Sequence, residues 1–224
     1  MNFKFASVSL LMFLQACGGG GSDSSGTVAP AATYDLNGMQ TTLVTSSQSF
    51  TAAATNGADA YQIFLSIAPA PDATFEGSTR KRATQSLTLR KNGATVVATT
   101  FEGYYGVAPF QLVGAQYAGG GYLLATTPHP ALPTAAQVGA SGSLGTQTLY
   151  ADSTKATVLA TQQATWTLEA STSGSASYCV NTVLTNASTS AISTTVGCNR
   201  INASGLVLGI RWVIAVDGLT LTFQ

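Results

Sequence analysis

Few side chains in this sequence are suited to chemistry: one histidine, His129, three glutamates, Glu76, Glu102 and Glu169, and three cysteines, Cys17, Cys179 and Cys198. His129 is wedged between Pro128 and Pro130. A general base must lie within hydrogen-bond reach of the proton it takes, and the sequence supplies His129 with no evident partner. The run "GASGSLG" at 139–145 lacks the Gly-x-Ser-x-Gly spacing of a nucleophile elbow. Glycoside hydrolysis needs two carboxyl groups flanking one bond. Glu102, in "TFEGYYG", has aromatic neighbours but no second acid beside it, while Asp59 and Asp217 read as turn residues. Zinc needs clustered His and Cys and calcium an Asp/Asn-rich loop. Neither pattern occurs, so no metal and no cofactor is expected.

Two clusters fit binding better than catalysis. Phe101, Tyr104, Tyr105, Phe110, Tyr117 and Tyr122 crowd into one stretch, flanked by Gly103 and Gly106. On strands they make a candidate ligand-binding surface, an apolar wall with hydroxyls; ordinary core packing is the alternative. Arg80, Lys81 and Arg82 are the densest charge in the chain. They are candidate contacts to an anionic surface, at about 1 kcal/mol each near one, or a solvated tip that keeps a sheet edge from pairing.

The N-terminus carries an address. One lysine in Met1–Lys4 precedes the apolar run Phe5–Leu14, the arrangement of a secretory signal. The run is too short to cross about 30 Å of hydrocarbon as a helix. It ends in Leu14-Gln15-Ala16-Cys17, and a glycine string follows. Those four residues resemble the lipobox of bacterial lipoproteins. The resemblance implies that residues 1–16 are a signal peptide cut before Cys17, whose thiol carries a diacylglycerol and whose new amine is acylated. Two or more chains anchor stably where one is marginal. Gly rather than Asp at position 18 implies, under that family's sorting rule, passage to the outer membrane, facing periplasm or cell surface. Residues 17–30 are then a lipidated cysteine with a Gly/Ser tether reaching roughly 20 Å, and 31–224 the β domain. With Cys17 given to lipid, Cys179 and Cys198 remain as an even pair in an exported chain. A disulfide is the natural reading, two free buried thiols the alternative.

Composition excludes several classes. Charged residues are 8% of the chain, against about 25% in typical soluble domains. The 9 basic and 9 acidic residues cancel, leaving no basic excess to neutralise nucleic-acid phosphates. Disorder is disfavoured by 45% hydrophobic residues at zero net charge. Polarity comes instead from Thr, Ser, Gln and Asn, which suits β-sheets in an extracytoplasmic medium.

The elements that must position these groups are strands. Short runs such as "MQTTLVT" (39–45), "QSFTAAA" (48–54) and "AYQIFLSIA" (60–68) are separated by small polar breaks. In "SLTLRKNGATVVATTF" (86–101), Asn92-Gly93 supplies the two residues of a type I′ hairpin turn. Asp217-Gly218 marks another near the C-terminus. The best short helix is Thr134–Val138, after Pro133. The fold expected is all-β and antiparallel, a β-sandwich or strongly curved half-barrel with little or no helix in the mature chain. "TPHPALP" (127–133) is either a crossover loop or a subdomain hinge near 127–134.

Three functions fit these observations. The first is a non-enzymatic envelope lipoprotein whose β domain binds an envelope protein or glycan or has a structural role. The second is a carrier of lipid or another apolar ligand on a concave sheet face, and the third, with the least support, is a hydrolase. The anchor is testable by itself: Cys17→Ser should abolish palmitate labelling of the expressed protein, and unchanged labelling would refute the lipobox assignment.

Overall fold

The computed structural model describes residues 32–107, 109–127, 130–172, 174–216 and 219–224. A two-residue strand, β1 (Thr33–Tyr34), and a helix, α1 (Leu36–Thr45), open the described chain. Then come β2 (Gln48–Asn56), β3 (Asp59–Phe75), β4 (Ser78–Lys91) and β5 (Ala94–Val107). β6 (Phe110–Tyr117) and β7 (Tyr122–Thr127) lead into a connection that carries β8 (Ala136–Gln137). β9 (Ser141–Tyr150), β10 (Val158–Ala170) and β11 (Ser175–Asn186) follow. β12 (Ile192–Asn202), β13 (Val207–Val216) and β14 (Leu219–Phe223) complete the order.

Twelve strands form one antiparallel meander, in the order β2-β3-β4-β5-β6-β7-β9-β10-β11-β12-β13-β14. The Asn92-Gly93 turn is present between β4 and β5, with φ of 50° and 83°. Residues 130–140 link two neighbouring strands of the sheet, and β8 leaves the meander to pair with β1. No helix forms over 134–138: Ala136 and Leu132 are buried against Tyr34, so this segment packs as an extended cap. The Asp217-Gly218 turn lies outside the described residues, between paired β13 and β14.

The sheet curls until its two ends meet. Ala53 N–H donates to the Gln224 carbonyl (3.3 Å), and Gln224 N–H donates back to Ala53 (3.1 Å). The architecture is therefore all-β, a strongly curved and nearly closed barrel. Its two faces differ sharply. On β10, Ala160, Gln162, Ala164, Trp166 and Leu168 are buried, while Thr161, Gln163 and Thr165 are exposed. On β2, Ala52 and Ala54 point inward, Thr51 and Thr55 outward. On these two strands the buried apolar residues face the lumen together with Gln162, and the threonines and Gln163 face outward.

The segment 39–45, expected as a strand, is instead the C-terminal part of α1. Its threonines are β-branched and mislead on propensity, but the apolar positions Leu36, Met39, Leu43 and Val44 follow helical spacing. Asp35 is the N-cap, accepting from Gly38 N–H at 2.7 Å. Thr41 and Thr45 hydroxyls donate to the carbonyls four residues back, each at 2.8 Å. The helix crosses the lumen. Leu36 and Met39 pack with Leu168, Tyr178 and Ile201 on one wall, and Val44 with Ile67, Ala83 and Tyr105 on the other.

Outside the barrel, β3 and β4 run past the end of β5. After a bulge between Ala70 and Ala73, their tip folds over the outer face, stacking Phe75 on Tyr104 (centroids 4.3 Å) and near Tyr122 (5.2 Å). Gly114 lies directly beneath. A Cβ there would collide with the Leu123 carbonyl and sit 2.5 Å from the Phe75 ring. Gly114→Ala should therefore destabilise the fold by about 1–3 kcal/mol. A urea or thermal midpoint equal to wild type would contradict this packing.

Candidate ligand cavity inside the barrel

An eight-stranded barrel is just wide enough for its own side chains to fill, and diameter grows with strand number. Twelve strands leave space that side chains alone do not reach. α1 takes part of it, and a cavity of about 150 Å³ remains beside the helix. Met39, Gln40, Leu43 and Val44 of α1 line one side. Leu65, Ile67, Leu87 and Phe101 come from β3–β5, Leu112, Ala115 and Leu123 from β6 and β7. Tyr178, Val180 and Trp212 close the far wall. The described lining holds no Asp, Glu, Lys, Arg or His.

Several of the lining's polar groups are paired. Gln85 Nε2 donates to the Tyr105 hydroxyl at 2.6 Å. Gln147 Oε1 accepts from Gln162 at 2.8 Å. Burial pushes the Tyr105 and Tyr117 hydroxyls far above their ordinary range, so both stay neutral. Two lining atoms are buried without a hydrogen-bond partner, Trp212 Nε1 and Gln40 Oε1. Leaving such a group unmatched costs about 1–3 kcal/mol.

The six aromatic residues singled out from the sequence do not share one surface. Phe101, Tyr105 and Tyr117 line the cavity, and Phe110 stacks on Tyr105 (5.6 Å) just behind it. Tyr104 and Tyr122 face outward beneath Phe75. All six are buried or partly buried. Of the lining, sequence reasoning singled out only Phe101, Tyr105 and Tyr117; it missed α1 and the remaining wall, Gln85 and Trp212 included. Asp35 as N-cap and the spacing Leu36, Met39, Gln40, Leu43, Val44 were the signals for the helix. Trp212 and Trp166 each sit opposite a glycine on the adjacent strand, Gly197 and Gly142, which gives each large ring room.

Arg80 and Arg82 lie on the outer face, whereas Lys81 shares its face of β4 with Ala83 and Gln85 and is solvent-exposed. Lys81 pairs with Asp72 (3.0 Å) and Arg82 with Glu102 (3.6 Å). Arg80 belongs to the same β4 segment, with Nε buried and unpartnered. The three are strand residues rather than a free loop tip. Glu102 also accepts from Thr84 at 2.8 Å, so it faces an ion pair instead of a cleft. Cys179 and Cys198 are directly opposed on β11 and β12 and form a disulfide. The bridge lies on the outer face, with Arg211 Nη2 3.3 Å from Cys198 Sγ and 3.7 Å from Glu169. Glu169 and the two sulfurs fall within 4.8 Å of one another, but oxidised sulfurs are not the thiolates that bind metals. Cys17 and His129 lie outside the described residues.

Comparison with protein-family models, curated proteins and solved structures yields no match to this chain.

The outer hairpin is latched by Glu76, which accepts from the Tyr122 hydroxyl and from Lys155 Nζ (2.8 Å). Lys155, then Tyr122, hold the Glu76 carboxyl below its ordinary 4.5 against a smaller opposing effect of burial. A depressed carboxyl stabilises the fold above its unfolded value and loses that stabilisation as pH falls through the folded one. Glu76→Gln should thus melt below wild type near about pH 6, with the gap closing toward about pH 3. A gap that stays constant across this range would contradict the latch.

Proposed function

We propose that this protein is a lipid-anchored envelope lipoprotein whose β domain binds a neutral apolar ligand inside the barrel. The single observation that carries the reading is the cavity in the lumen, whose described lining is mainly apolar and holds no charged side chain. Apolar cavities of about this volume take up benzene or xenon. The volume suits one ring or a short acyl segment. The outer face, rich in Thr, Ser and Gln, leaves the interior as the apolar surface suited to a ligand. In this reading the Cys17 anchor and the tether of residues 17–30 hold the barrel near a lipid surface, a source of apolar molecules. Ionised fatty acids are disfavoured, because no lining cation compensates a buried carboxylate.

Ala115 lies in the wall and is 1% exposed. Ala115→Leu should fill the cavity, costing less than about 1 kcal/mol in stability because the added carbons enter existing space. Toluene should raise the melting temperature of wild type, since a ligand that binds only the folded state stabilises it. It should not raise that of the variant. Equal shifts in both proteins, or none in wild type, would overturn the reading.

A further inference from the structure

Trp212 is the most informative lining residue. Its side chain is 5% exposed, it faces the lumen on β13 opposite Gly197, and its indole N–H meets no acceptor. Indole N–H is a donor only, so nothing but an acceptor can satisfy it. Of the lining amides, Gln85 is engaged with Tyr105 and Gln147 with Gln162, and neither Gln40 nor Asn199 is bonded to the indole. Buried Trp N–H groups ordinarily find a partner. A purely hydrocarbon ligand would leave this one orphaned, and an anion would be uncompensated in an uncharged wall.

We propose that the ligand is a neutral amphiphile, an apolar body bearing a carbonyl, ether or hydroxyl oxygen that accepts a hydrogen bond from Trp212 Nε1. The assignment rests on the apolar-ligand reading and narrows it to a chemical class. Gln40 Oε1, the other unmatched atom in the lining, adds an acceptor for a ligand whose oxygen carries a hydrogen. Ligand orientation follows from the same donor, because the oxygen is drawn to the β13 wall and the apolar body to the Leu and Phe side chains opposite.

Acetophenone and α-methylstyrene have nearly the same shape, the second carrying CH₂ where the first has its carbonyl oxygen. Titration calorimetry of both into wild type and Trp212→Phe separates the donor from the wall. The variant should lose about tenfold in affinity for acetophenone, the scale of one hydrogen bond, while α-methylstyrene changes less than about twofold. In case Trp212→Phe folds poorly, the indole N–H resonance of ¹⁵N-labelled wild type, assigned with Trp166→Phe, reports the same bond. It should move downfield with acetophenone and not with α-methylstyrene. Equal losses for the two ligands, or an indole resonance that acetophenone leaves in place, would overturn the acceptor assignment and leave the apolar cavity standing. Failure of both ligands to bind wild type would overturn the cavity reading together with it.

Discussion

The sheet closes on itself through one pair of residues, Ala53 and Gln224, and the rest of the molecule follows from that closure. Once twelve strands are joined, the lumen is wider than their inward side chains can fill. Empty space in a protein is destabilising in proportion to its volume, so something must enter. α1 does, tied at its start by Leu36 N–H to the Pro133 carbonyl (3.0 Å) and Asp35 N–H to that of Ala203 (3.2 Å). Its apolar stripe meets both walls, yet a ten-residue helix does not occupy the whole lumen. The cavity is what closure leaves behind.

Much of the wall was legible in the sequence. Alternating apolar and polar residues place β10 and β11, and Asn92-Gly93 places the β4–β5 turn, because both signals are local. The Cys179–Cys198 bridge across one hairpin followed from the export reading and agrees with the register of β11 and β12. α1 was obscured because Thr41, Thr42 and Thr45 favour strands, while tertiary packing of Leu36, Met39 and Val44 decides in favour of helix. The aromatic cluster divides between the two faces for a different reason. Tyr104 and Tyr105 are adjacent on one strand and must point to opposite faces, which the sequence shows on reflection. On β6 the inward positions change from Phe110 and Leu112 to Ala115 and Tyr117. An irregularity opposite Tyr104 and Tyr105 switches them, and no local pattern announces it.

The chemistry of the two faces connects fold to function. Low charge, unusual for a soluble domain, is accommodated because hydroxyls and amides cover the outside while ions pair there, as Arg82 with Glu102 and Lys155 with Glu76. The interior is left to hydrocarbon, buried phenols and a small set of amides. Inside it, Trp212, Gln40 and Thr182 break the rule that buried polar atoms are matched, and the first two line the cavity. Two exceptions in the lining of one cavity are what a binding site needs: a shape defined by apolar walls and a few polar points that select among apolar molecules.

Xenon tests the central claim, a mainly apolar cavity beside α1 that takes up apolar molecules, without assuming any natural ligand. Crystals of residues 31–224 under xenon pressure should show a xenon atom in contact with Leu43, Leu87 and Phe101, with the surrounding backbone unmoved. Absence of xenon there, with the lumen instead filled by side chains or ordered water, would contradict the account.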